Sequence, residues 1–166
     1  MPAELRNTQR LFKFDAGGLK KEIETALGWI GLSRFTVSVL LTDDAGITPY
    51  HERWMNEPGP TDVLSFPAHP PRRPLPVVSA EFPIFFKEPV SDHPPVMLGD
   101  IVISVETAAR RKPKAVEAEV RRYWIHGLLH LSGYDHRTAQ QKKAMDRQAV
   151  LLTRRVEELG CIGKKR

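Results

Sequence analysis

Residues 116–136 read Val-Glu-Ala-Glu-Val-Arg-Arg-Tyr-Trp-Ile-His126-Gly-Leu-Leu-His130-Leu-Ser-Gly-Tyr-Asp-His136, and this stretch governs the reading of everything around it. The pattern predicts a helix over about residues 115–132. On such a helix His126 and His130 stand one turn apart on the same face, with Cβ atoms about 5–6 Å apart. That separation suits two imidazole nitrogens at about 2.0–2.1 Å from one zinc ion. Gly133 then supplies a bend, because a glycine just past a helix end takes the left-handed conformation without a Cβ penalty. Tyr134 and Asp135 carry His136 round to a third position. Three ligands drawn from eleven residues leave a fourth position open, which is the pattern of a catalytic rather than a structural zinc. The bland alternative makes His126 and His130 polar residues on an amphipathic helix and His136 a loop residue. His51, His69 and His93 have no metal spacing and read as ordinary surface or loop residues.

Outward from that segment the chain alternates helical and strand patterns. Asp15 is placed to cap a helix through about Ile30, with Leu19, Ile23, Ala26, Leu27 and Ile30 at helical spacing and Gly31 as the stop. Phe35, Val37, Val39 and Leu41 alternate as a half-buried strand. Thr48 and Pro49 look like an N-cap and first-turn proline, so a short helix is expected from Tyr50 to about Met55, ended by Pro58, Gly59 and Pro60. Val63–Phe66 and Leu98–Ser104 read as strands, and a short helix is expected near Glu106 to Arg111. A last helix runs from about Thr138 to Leu159, where Met145, Ala149, Leu152 and Val156 form an apolar stripe that belongs to the core.

Residues 67–97 hold nine of the fourteen prolines. Proline has no N–H for a sheet ladder and disfavours helix at the residue before it, so this stretch reads as an extended insertion, pinned in part by Phe82, Phe85 and Phe86. A surface insertion and a flap over the site are the two readings of it.

At 166 residues and 41% hydrophobic, the chain reads as a single domain over 1–166, large enough to bury a core without staples. One cysteine, Cys161, excludes an internal disulfide and fits a reducing compartment. No run approaches the roughly 18 apolar residues of a membrane span, and MPAELRNTQRLFKF lacks the apolar core of a secretory signal. A soluble, cytoplasmic protein without a membrane partner is the expectation. The net charge is +5 and the pI near 9.5, with Arg110, Arg111, Lys112, Lys114, Arg121 and Arg122 close to the histidines and Lys164, Lys165 and Arg166 at the end of the sequence. Such clustering suits a polyanion. It equally suits a solvated basic surface.

A metal on three neutral imidazoles keeps most of its charge, polarises a phosphoryl or carbonyl oxygen and lowers the pKa of a bound water toward about 7. Hydrolysis is the expected reaction type. The frame His-x3-His-x2-Gly-x2-His also occurs in metzincin peptidases, which place a glutamate immediately after the first histidine as general base. Here that residue is Gly127, and its lack of a carboxylate argues against peptide hydrolysis. Asp135 is placed either to orient a histidine or to cap the following helix with Arg137 exposed. Imidazole also suits nickel and copper, so spacing alone does not choose the metal.

The segment His126–His136, with Thr61-Asp-Val-Leu-Ser-Phe-Pro67 before it and Leu98-Gly-Asp-Ile-Val-Ile-Ser104 between them, resembles the YbeY family of bacterial endoribonucleases, the rRNA maturation factors. The resemblance covers most of the chain. It implies an α+β fold, a small mixed β-sheet packed against several helices, with a single zinc at the end of a helix on His126, His130 and His136 and His126 as catalytic residue. It also implies action on single-stranded RNA, processing of the 3′ end of 16S rRNA on the small ribosomal subunit, and ribosome quality control. Two departures stand out. The family usually shows Leu-Asn-x-x-Tyr-Arg where this chain has Tyr50-His51-Glu52-Arg53-Trp54-Met55, so Met55 replaces an arginine and cannot pair with a phosphate. The proline-rich stretch is also longer than the family's usual connection. Two alternatives accompany the nuclease reading: a ribosome-assembly RNA-binding factor with a structural zinc, and a zincin-type metallopeptidase.

Overall fold

The computed structural model describes residues 3–29, 32, 34–69 and 94–163. Its frame is a mixed sheet of four strands in the order β1-β2-β4-β3, with β1 at Ala3–Asn7, β2 at Phe35–Thr42, β3 at Val63–Pro67 and β4 at Val96–Ser104. β1, β2 and β4 are parallel, and β3 closes the edge antiparallel to β4. The helices are α1 (Ala16–Trp29), α2 (Asp44–Met55), α3 (Val105–Arg111), α4 (Val116–Leu131) and α5 (Ala139–Gly163). The α+β expectation therefore holds. No helix among the described residues is long and apolar enough to cross a membrane.

Strand alternation sends side chains to two faces. Val37, Val39, Leu41, Ile101 and Ile103 turn toward α1, α4 and α5, where Ile23, Leu27, Trp124, Leu128, Met145, Leu152 and Val156 complete the main core. Leu40, Leu64, Phe66 and Val102 turn the other way and pack against Ile47 of α2. The stripe on α5 is core, as its spacing predicts, and Asp15 accepts a hydrogen bond from Gly18 N at 2.9 Å as the expected cap of α1.

Several boundaries differ from the sequence reading. β1 was not expected there. It is a five-residue edge strand with Glu4, Arg6 and Asn7 among its residues, too short and polar for alternation to mark. α2 begins at Asp44, not after Thr48, and Pro49 lies inside it. The cap is Asp43, which accepts from Gly46 N at 2.8 Å, while the Thr48 hydroxyl donates to the Asp44 carbonyl oxygen at 2.6 Å. The earlier start is fixed by tertiary partners: Asp44 accepts from Ser104 and Thr107 hydroxyls at 2.6 Å each and pairs with Arg110 at 2.7 Å. Burial opposes ionisation of Asp44, but these three donors hold its carboxyl below the usual range.

Both ends of the proline-rich stretch 67–97 belong to the sheet, since Pro67 closes β3 and Val96 and Met97 open β4. A proline at the edge-strand end costs no ladder bond. Residues 70–93, with Phe82, Phe85, Phe86 and His93, lie outside the described residues, as do Ile30, Gly31 and the terminal Lys164, Lys165 and Arg166. His51 is not a surface residue. It is 8% exposed, and its Nδ1–H donates to the Gly59 carbonyl oxygen at 2.8 Å, tying the end of α2 to the turn before β3. His69 is exposed.

Candidate metal centre

The C-terminal half of α4 lies on the sheet because Leu128, Leu129 and Leu131 are buried, which leaves positions 122, 126 and 130 along its outer side. Arg122 is exposed and His126 and His130 are half-buried there. The helix ends as its glycine predicts. Gly133 has φ 95°, its N–H donates to the His130 carbonyl oxygen at 2.9 Å, and Tyr134 N–H donates to the Leu129 carbonyl oxygen at 3.0 Å. This reversal returns the chain so that His136 faces the two helical histidines.

The three imidazoles converge. One ligand nitrogen from each of His126, His130 and His136 lies within 4.8 Å of the others, and the ring centroids are 4.5, 5.0 and 5.8 Å apart. Nδ1 of His130 is 3.0 Å from the Tyr134 carbonyl oxygen. A carbonyl only accepts, so Nδ1 carries the proton and Nε2 presents its lone pair inward. That Nε2 lies 3.0 Å from Nε2 of His126, near the roughly 3.3 Å between two nitrogens bound tetrahedrally to one zinc.

Burial, then the neighbouring rings of His130 and His136, lower the pKa of His126 to about 4. Burial and the adjacent His136 likewise lower that of His130, against the pull of the Tyr134 carbonyl. Both rings are therefore held neutral, the form in which a histidine binds metal. The donor set fits a divalent transition ion, and the exposed flank of His136 leaves a side open to solvent.

Gly127, beside the first histidine, faces the core. A Cβ there would lie 2.9–3.2 Å from three side-chain carbons of Ile101, so a zincin-type glutamate cannot occupy this position unless the Ile101 side chain gives way. Among the described residues Asp135 makes no hydrogen bond to an imidazole, although its charge favours the protonated form of His130. It accepts from the His136 backbone N–H at 2.8 Å and pairs with Arg137 at 2.9 Å, where Arg137 is 84% exposed as expected. Nor does Asp135 cap α5. That role falls to Thr138, whose hydroxyl accepts from Gln141 N while Gln141 Oε1 accepts from Thr138 N, both at 3.1 Å. A reciprocal Ser/Thr-x-x-Gln cap was legible in the sequence.

The sequence model of the family described as Endoribonuclease YbeY matches residues 4–157. The chain belongs to that family. Curated relatives named Endoribonuclease YbeY include one from Thermobifida fusca, 40% identical over 112 residues that cover 66% of this chain and 64% of the relative. Others come from Anaeromyxobacter sp., 36% identical over 82% of this chain and 62% of the relative, and Nitrobacter winogradskyi, 35% identical over 80% and 66%. The matched part of the chain thus spans 62–66% of the length of these three YbeY relatives. The solution structure of TM1509 from Thermotoga maritima superposes with a TM-score of 0.61, covering 98% of this chain and 93% of that one at 20% identity, a likeness of fold.

In this YbeY chain the basic cluster is largely neutralised. Arg110 pairs with Asp44, Arg111 with Asp62, Lys112 and Arg122 with Glu119, and Arg121 with Glu22 and Glu157. Charge counting along the sequence missed this, because every partner except Glu119 is distant in the chain. Met55 is 46% exposed, and the guanidinium of Arg53 lies over the Trp54 ring, 5.4 Å from its centroid.

Proposed function

We propose that this chain is a zinc-dependent, single-strand-specific endoribonuclease that acts in the cytoplasm on rRNA of the small ribosomal subunit, in 16S 3′-end maturation and ribosome quality control. The observation that carries the reading is the convergence of three imidazole donors beside open solvent in a chain whose family is described as Endoribonuclease YbeY. His126, His130 and His136 hold the ion, and His126 is assigned the catalytic place at the head of the cluster. When bound, zinc supplies charge to polarise a phosphoryl oxygen and lowers the pKa of a water molecule. The chain's own part is to keep the rings of His126 and His130 unprotonated by burial, to fix the His130 tautomer through the Tyr134 carbonyl, and to leave the outer side of α4 free for a strand. Phosphodiester cleavage leans on charge neutralisation and positioning, which suits a centre with no carboxylate base at residue 127.

The experiment is cleavage of matched single-stranded and duplex rRNA fragments, with and without a chelator. Cutting confined to the single strand and abolished by chelation is expected. Equal cutting of both forms, or cutting that survives metal removal, contradicts the reading. A ribosome-assembly factor with a structural zinc is favoured by one observation, the exposed Met55, which cannot pair with a phosphate. It predicts RNA binding without cleavage in the same assay.

A further inference from the structure

We propose that Arg122 binds the phosphate of the RNA strand next to the one lying over the histidine cluster, the contact that Met55 cannot make. This rests on the RNA reading above. Arg122, His126 and His130 are spaced by four on the uninterrupted helix α4, so they form one stripe with the guanidinium stem one turn before the first histidine. The Arg122 side chain is 53% exposed.

Its direction is fixed. Nε and Nη2 donate to Glu119 Oε1 at 3.1 and 2.7 Å, and the guanidinium carbon lies 4.9 Å from the Tyr123 ring centroid. Glu119, 2% exposed, is also paired through Oε2 with Lys112 at 3.0 Å. Two cations therefore meet one buried carboxylate, and the group keeps a net positive charge. Among the described residues Nη1 of Arg122 has no acceptor, so one edge of the planar fork is left for an incoming oxygen. Because the side chain leans toward the helix N-terminus, away from His126, that edge meets the neighbouring phosphate and not the one above the histidines. Arg111 is less suited, since Asp62 already neutralises it at 2.5 Å.

The test is binding of a single-stranded ribo-oligonucleotide to the metal-free full chain across about 50–200 mM salt. Arg122→Gln, which can still donate to Glu119, is expected to lower the slope of log K against log salt by about 0.7, the value for one phosphate contact on a single strand. Affinity should fall about tenfold, with zinc uptake unchanged and Arg53→Gln behaving as wild type. An unchanged slope in Arg122→Gln while the wild type binds overturns the Arg122 assignment alone. Failure of the wild type to bind overturns the RNA reading with it. Should Arg122→Gln not fold, the Nε–H resonance of Arg122 in the wild-type chain decides. It should shift on titration with a phosphorylated dinucleotide and not with a nucleoside, and no shift overturns the assignment.

Discussion

The Nδ1–H of His130 donates to the carbonyl oxygen of Tyr134 across 3.0 Å, so the turn that ends α4 also sets which nitrogen of His130 faces the other two rings. Helix termination and site assembly are one piece of structure. The same reversal that satisfies the last carbonyls of the helix brings His136 into reach.

Gly133, at φ 95°, should therefore matter to metal affinity although it contributes no ligand. Gly133→Val forces a β-branched residue into a left-handed backbone at a cost of about 1–2 kcal/mol, and it moves both Tyr134 and His136. A drop in zinc affinity of about 10–100-fold is expected, the usual effect of disturbing a ligand's hydrogen-bond partner, measured by competition with a chromophoric chelator. Wild-type affinity in the variant would show that the bend does not hold the cluster.

Gly127→Glu restores the zincin sequence frame but should not restore peptidase chemistry. The new side chain starts within 2.9–3.2 Å of Ile101, so about 1–3 kcal/mol of overpacking destabilisation is expected, with no cleavage of a casein-like substrate. A stable variant that cleaves casein would mean that the position faces the metal after all.

Glu119 should shape the acid limb of stability. Hydrogen bonding from Arg122, opposed by burial and helped by Lys112, lowers its pKa from 4.5 to about 2. A carboxyl depressed on folding contributes stability that is full above its unfolded pKa and is lost as pH falls toward the folded one. That window runs from about 4.5 to about 2. Denaturant unfolding across this range should show a shallower loss of stability in Glu119→Gln than in wild type, and superimposable limbs would remove Glu119 from the account.

Much of this was written locally in the chain. The His126–His136 spacing, Gly133, the α5 stripe and the β2 alternation all depend on neighbours within a few residues, and each appears in the structure as read. What stayed hidden depends on distant partners. β1 is defined by its ladder with β2, and the true start of α2 by Asp44 reaching Ser104 and Thr107. His51 looked like a surface histidine because nothing nearby in sequence shows its bond to Gly59. The ion pairs of the basic cluster stayed hidden for the same reason, since Asp44, Asp62 and Glu22 reach it from elsewhere in the chain.

The central claim is that three imidazoles hold one ion that RNA cleavage requires. Its most direct test is zinc per chain measured beside rRNA-fragment cleavage in His130→Ala. Zinc well below one per chain, with cleavage lost, is the predicted result. Full zinc occupancy or undiminished cleavage in that variant would contradict it.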